Sequence, residues 1–279
     1  MPITEFNGAR VAYRESGAGE PVIALHSSAS SAAQWTAFHQ DLRTSFHVLT
    51  PDLCGYGDSD GWCGDGAISL KHEADRIAAI MDRMVEPVHL VGHSYGGAVA
   101  LRLAMEKPHR VRSLTLIEPV VFQVLRQGSE TDRQLFSEIS GVAGAVSDAV
   151  VSGNVAKGMA RFVDYWSGPG TWRRLEAQRR AALMRLAPAV ALNFWAACKD
   201  PVRQADFKQL HTHTMILRGS RSPPPTQRIA EILAAQLPFA RLETLGGAGH
   251  MAPLTHSAPI NRLIRKHIHN NLGRHRRAA

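Results

Sequence analysis

The sequence predicts an α/β fold: a mostly parallel eight-stranded sheet flanked by helices, interrupted by a block that is helical throughout. Three observations carry this expectation. Short apolar runs alternate with helix-length segments from Pro21 to Ile117. No strand pattern appears between Val120 and Ala205. Strand–helix alternation then resumes at Thr214. Parallel neighbours require a crossover connection, usually a helix, so the alternation points to a parallel sheet.

The elements follow in order. Glu5-Phe6 and Arg10–Tyr13 read as an opening hairpin, with Asn7-Gly8 as its turn. Pro21–Leu25 is a third strand and Ala32–Leu42 a helix. Phe46–Thr50 is the fourth strand, stopped by Pro51. Ser69 is placed to cap a helix from Leu70 to Met84, with Ile77, Ile80, Met81 and Met84 at helical spacing. Val88–Val91 and Val111–Ile117 are strands five and six, the latter after the Lys107-Pro108 break. Helices are expected over Glu130–Ile139, Val155–Tyr165, Trp172–Ala187 and Val190–Ala197, with Gly/Pro breaks such as Ser167-Gly168-Pro169-Gly170 between them. Thr214–Arg218 and Ala240–Leu245 complete the strands, with helices over Gln227–Gln236 and about Pro259–Asn270. The expected division is a core of residues 1–119 and 206–279 and a helical block over 120–205.

Composition narrows the class. The 279 residues are 44% hydrophobic and 20% charged, enough apolar content for an ordinary core and unlike a disordered chain. The three cysteines, Cys54, Cys63 and Cys198, lack metal-ligand spacing and read as free thiols. The N-terminal residues show no signal-peptide pattern and no apolar run reaches spanning length, so a cytoplasmic protein without a membrane partner is expected. The net charge of +8 comes largely from arginines at 173–185 and from Arg262, Arg265, Lys266, Arg274, Arg276 and Arg277. These fit a solvated helix face and a basic tail, and without a recognition motif no nucleic-acid partner is expected.

The stretch that carries chemistry is Gly92-His93-Ser94-Tyr95-Gly96-Gly97, between a strand and a helix. Gly-x-Ser-x-Gly in that context is the pattern of a nucleophile elbow. The glycines allow a turn too sharp for side chains, and the following helix aims its N-terminus at developing negative charge.

Four motifs together resemble the α/β-hydrolase family over nearly the whole chain. They are His26-Ser27-Ser28 after strand three, Asp52-Leu53-Cys54-Gly55-Tyr56-Gly57-Asp58-Ser59 after strand four, the elbow after strand five, and Gly249-His250 after the last strand. The resemblance implies that Ser94 is a nucleophile, that His250 is its general base, and that the helical block is a cap over the site. It implies an oxyanion hole from the backbone N–H groups of Tyr95 and Ser28. His26, His93 and His256 read as structural. The third member departs from the common pattern. Most members place an Asp after strand seven, but here Ser220-Arg221-Ser222-Pro223 offers no carboxylate, and Ser222 stands about where the Asp belongs. Some members use the end of strand six instead, where this chain has Glu118. Glu118 is therefore the expected acid.

The implied activity is hydrolysis of a carboxylic ester, lactone or thioester of a small, rather apolar substrate through an acyl-enzyme. Trp35, Phe122, Phe136, Phe162, Tyr165, Trp166, Trp172, Phe194 and Trp195 are candidates for pocket walls or cap core. A lyase or C–C bond hydrolase on the same triad, and a ligand-binding protein without turnover, are the alternative classes. No cofactor and no metal are implied, and the expected assembly is a monomer or homodimer.

Overall fold

A computed structural model describes residues 1–272. The basic residues Arg274, Arg276 and Arg277 lie outside the described part. The eight strands are β1 (Ile3–Phe6), β2 (Ala9–Ser16), β3 (Glu20–Leu25), β4 (Phe46–Pro51), β5 (Val88–His93), β6 (Val111–Ile117), β7 (Thr214–Gly219) and β8 (Ala240–Leu245). They form one sheet in the order β1-β2-β4-β3-β5-β6-β7-β8. β1 and β2 form the expected hairpin, and β2 runs antiparallel to β4. All other neighbours are parallel.

Around the sheet lie α1 (Thr36–Leu42), α2 (Leu70–Met81), α3 (Tyr95–Glu106), α10 (Pro224–Gln236), α11 (Ala252–Thr255) and α12 (Ser257–His269). Between β6 and β7 come α4 (Gln123–Arg126), α5 (Glu130–Ser152), α6 (Val155–Ser167), α7 (Thr171–Arg174), α8 (Ala177–Arg185) and α9 (Ala187–Lys199). Alternate strand residues feed two cores. Ile23, Leu25, Leu90, Leu114 and Leu116 pack with α2, α3 and the inserted helices. Val22, Ala24, Val91 and Ile117 pack with Phe38 and Leu42 of α1 and with Ile260, Ile264 and Ile268 of α12. Those three isoleucines recur every four residues, so one helical stripe faces the sheet.

Several helix bounds differ from expectation for local reasons. α2 begins at its Ser69 cap, whose N–H in turn donates to His72 Nδ1, but ends at Met81. α5 runs through Gly141 and Gly144 to a left-handed Gly153, because Ile139, Val142, Val146 and Ala149 keep one buried stripe going. By length and composition α5 also passes as a membrane span, contrary to the expectation that no run does. Its single buried stripe instead suits a helix packed on protein, and it lies against α6 and α9. The helix expected over Trp172–Ala187 is broken, and Asp164 accepts from the Gly170 and Trp172 N–H groups at the start of α7. Pro188 and Pro224-Pro225 sit in the first turns of α9 and α10, where a missing N–H costs nothing. All three cysteines are free.

The topology fixes one place for chemistry. Chain order reverses between β3 and β5: β4 lies outside β3, while β6 lies outside β5. Ligands of open parallel sheets bind beyond the carboxyl ends at such a switch point. The loops leaving β3 and β5 therefore meet there.

Candidate active site

β5 ends at His93, and Ser94 follows with φ 55° and ψ −117°. This left-handed backbone is costly for a non-glycine residue and marks a constrained turn. Neighbouring contacts explain the glycines. A Cβ on Gly92 would strike the Gly96 carbonyl, and one on Gly96 would strike the carbonyls of Leu25 and His26. The elbow can thus press against β3 only with glycine there. The Ser94 N–H donates to the Ile117 carbonyl at 2.9 Å, tying the turn to the end of β6.

Glu118 follows Ile117 directly, also with positive φ, at 45°. Its N–H donates to Leu217 O at 2.9 Å, which holds it between β5 and β7. His250 arrives on the loop after β8. These three side chains, each expected from sequence, are brought together. His250 Nε2 lies 2.9 Å from Ser94 Oγ, and His250 Nδ1 lies 2.7 Å from Glu118 Oε2. Glu118 is 0% exposed, His250 2% and Ser94 6%. Among the described residues Glu118 neither caps an inserted helix nor pairs with an arginine.

The other carboxylate oxygen is also occupied. Glu118 Oε1 accepts from the Gly219 N–H at 2.6 Å and from the Ser222 hydroxyl. The site where an Asp is absent thus supplies a hydroxyl to the Glu that stands elsewhere. Burial acts to raise the Glu118 pKa, but bonds from His250, Ser222 and Gly219 outweigh it and hold the carboxyl below its ordinary value. A hydroxyl, an imidazole and an ionised carboxylate in this line can move a proton from oxygen to nitrogen while the carboxylate steadies the imidazolium.

The loop after β3 packs beside the elbow. Ala29 has φ 56°, and the loop is pinned from several sides. Ser27 N and Oγ both donate to Gln34 Oε1, at 3.1 and 2.9 Å. His26 Nε2 accepts from the Leu53 N–H at 2.9 Å. Asp52 accepts from Ala32 N at 2.7 Å and Asp58 N at 3.1 Å. Ser28 and Tyr95 both line the cavity above Ser94. Among the described residues no main-chain acceptor outside regular helices and strands takes either N–H.

His93 and His26 hold the framework of the site. His93 Nε2 donates to the His250 carbonyl at 2.8 Å, and burial pushes the His93 imidazole down to about 3. Burial likewise lowers His26 to about 4. Both are therefore neutral at pH 7. His256 lies at the cavity edge, 2.8 Å from the Thr255 hydroxyl.

The cavity has a volume of about 1260 Å³ and lies between the sheet edge and the inserted helices. Phe122, Phe162, Tyr165, Trp166 and Phe194 line it. Trp35 belongs to the core on the opposite face of the sheet, and Trp195 is half exposed, so the aromatic set divides. Phe136 and Trp172 pack against the core cluster without lining the cavity. Two side chains gain roles that no local pattern signals. Trp166 lies over His250, ring centroids 4.1 Å apart and planes inclined by 31°. Asn193 of α9 reaches Ser28.

Comparison with known proteins places this chain in a family. Residues 20–257 match the family model described as alpha/beta hydrolase fold, and the chain belongs to that family. An uncharacterised protein of Mycobacterium tuberculosis is 33% identical over 112 residues, 40% of this chain and 32% of that protein. The chain thus spans about a third of that relative's length. A 2-hydroxymuconate semialdehyde hydrolase of Pseudomonas putida is 25% identical over 271 residues, covering 92% of this chain and 90% of the relative. A thermophilic esterase of Thermogutta terrifontis superposes with a TM-score of 0.73 at 21% identity, over 96% of both chains. That likeness concerns the fold.

Proposed function

We propose that this protein is a serine hydrolase that cleaves a carboxylic ester, lactone or thioester of an apolar substrate through an acyl-enzyme on Ser94. The observation that carries this reading is the continuous line from Ser94 Oγ through His250 to Glu118, with contacts of 2.9 and 2.7 Å. A serine hydroxyl is a weak nucleophile until a base takes its proton. His250 Nε2 accepts that proton as Ser94 Oγ attacks the carbonyl carbon. The carbonyl oxygen becomes an oxyanion received by the Tyr95 and Ser28 N–H groups, with the α3 N-terminus behind them. Collapse breaks the bond to the leaving oxygen or sulfur, and the His250 proton goes to that atom. Water then attacks the acyl-enzyme by the same route and releases the acid. The helical insertion acts as a cap, and its aromatic wall suits an apolar acyl group. The cavity exceeds the usual range for drug-sized ligands, so its walls do not impose a small substrate.

A second reading has its own support. The relative aligned over 92% of this chain is named for a semialdehyde of a muconate, whose hydrolysis breaks a C–C bond. The same triad would then expel a carbon leaving group.

A panel of p-nitrophenyl esters of graded acyl length, lactones, thioesters and a vinylogous 1,5-diketone acid separates the two. The ester reading predicts acid and alcohol products and kcat/KM at least 100-fold higher on its best ester than on the diketone. The reverse order supports C–C cleavage. Inertness toward all, with no fluorophosphonate labelling of Ser94, means a binding protein.

A further inference from the structure

The loop that carries Ser28 is strained, since Ala29 holds a left-handed backbone that a non-glycine residue rarely adopts. It keeps its shape only if neighbouring groups hold it. On the core side Gln34 does so through Ser27. On the cap side the hydrogen bond, among the described residues, is to one side chain. Asn193 Oδ1 accepts from Ser28 Oγ at 2.7 Å and from the Tyr56 hydroxyl at 2.6 Å. Asn193 is 3% exposed and Tyr56 1%. A buried amide oxygen with two hydroxyl donors is a fixed point. It belongs to α9, so the fixed point travels with the insertion.

We propose that Asn193 is a positioning residue for the oxyanion site: through Ser28 Oγ it sets the direction of the Ser28 N–H, and it does so only while α9 is seated. The inference rests on the acyl-transfer reading above. Asn193 acts through Ser28, with no contact to the reacting atoms required of it. An N–H that drifts from its acceptor loses much of its value in the transition state and little in substrate binding.

The test is a double-variant cycle on the best p-nitrophenyl ester. Losing a whole oxyanion donor costs about 100–1,000-fold, so loosening one should lower kcat by about 10–100-fold. N193A and S28A are each expected to do so with KM within about threefold, and the double variant should be no slower than the slower single. Binding of a trifluoromethyl ketone, which forms a tetrahedral oxyanion on Ser94, should weaken in proportion to kcat. S28A removes the same bond from the loop side and carries the test if N193A does not fold. Multiplicative losses in kcat, or an N193A protein with unchanged kcat and ketone affinity, overturn the proposal while leaving ester hydrolysis standing. A parent protein that turns over no ester overturns both.

Discussion

Replacing Glu118 by glutamine tests the geometry most severely, because the structure dictates which way the amide will face. The inner oxygen, Oε1, receives two donors, the Gly219 N–H and the Ser222 hydroxyl. A backbone N–H cannot become an acceptor. The glutamine carbonyl must therefore take the Oε1 position, and its NH2 group must face His250 Nδ1, where Oε2 stood 2.7 Å away. His250 is then forced to accept at Nδ1 and to carry its proton on Nε2, toward Ser94. A base that already holds the proton cannot take another from the serine. The loss for a wrong tautomer in a triad is about 10⁴-fold in kcat, or about 5.5 kcal/mol of transition-state stabilisation. Steady-state hydrolysis of the best ester by E118Q, with circular dichroism as a check on fold, measures it. KM should change little. A folded E118Q within tenfold of the parent would refute the argument and direct the search to another acid.

Other consequences follow from the same contacts. S222A removes one donor from a charged acceptor and should cost about 3–10-fold in kcat, far less than E118Q; equal losses would mean that Ser222 does more than support the carboxylate. On the proposed mechanism the imidazole beneath Trp166 becomes cationic, so W166L should lower kcat by about 2–30-fold and W166F by under threefold; identical behaviour of the two would assign Trp166 to packing alone. Glu73 is fully buried, and burial, opposed in part by Arg76, pushes its carboxyl from 4.5 up to about 7. The folded state then holds the proton more tightly than the unfolded state. Stability is full below about pH 4.5 and falls by about 3 kcal/mol as pH rises through about 7. E73Q abolishes that fall, so urea unfolding should show its advantage over the parent growing from pH 4.5 to pH 8; a constant gap contradicts the assignment.

What the sequence made legible follows from the range of the interactions. The elbow is a local object: strand, glycine-flanked turn and helix lie within one stretch. Glu118 was legible by a different route, because an empty position at Ser222 and a carboxylate one residue past β6 are both visible in the chain. The positive φ of Glu118 and the Ser222 hydroxyl behind it were not, since both depend on the register of β6 against β7. Helix bounds in the insertion failed where tertiary packing overrode local breaks, as at Gly141 and Gly144, which have open space around them. Asn193 gave no signal and Trp166 was visible only as one aromatic among several pocket or cap candidates, because each meets its partner only after α9 and α6 have folded over the sheet edge.

The central claim is that Ser94 carries the acyl group and His250 makes it able to do so. Peptide mass spectrometry after fluorophosphonate treatment tests this directly. The account predicts a single phosphonyl adduct on Ser94, lost in S94A and slowed by at least 1,000-fold in H250A, with ester hydrolysis falling in step. Hydrolysis that persists in a protein whose Ser94 stays unlabelled, or labelling that survives the loss of His250, would contradict it.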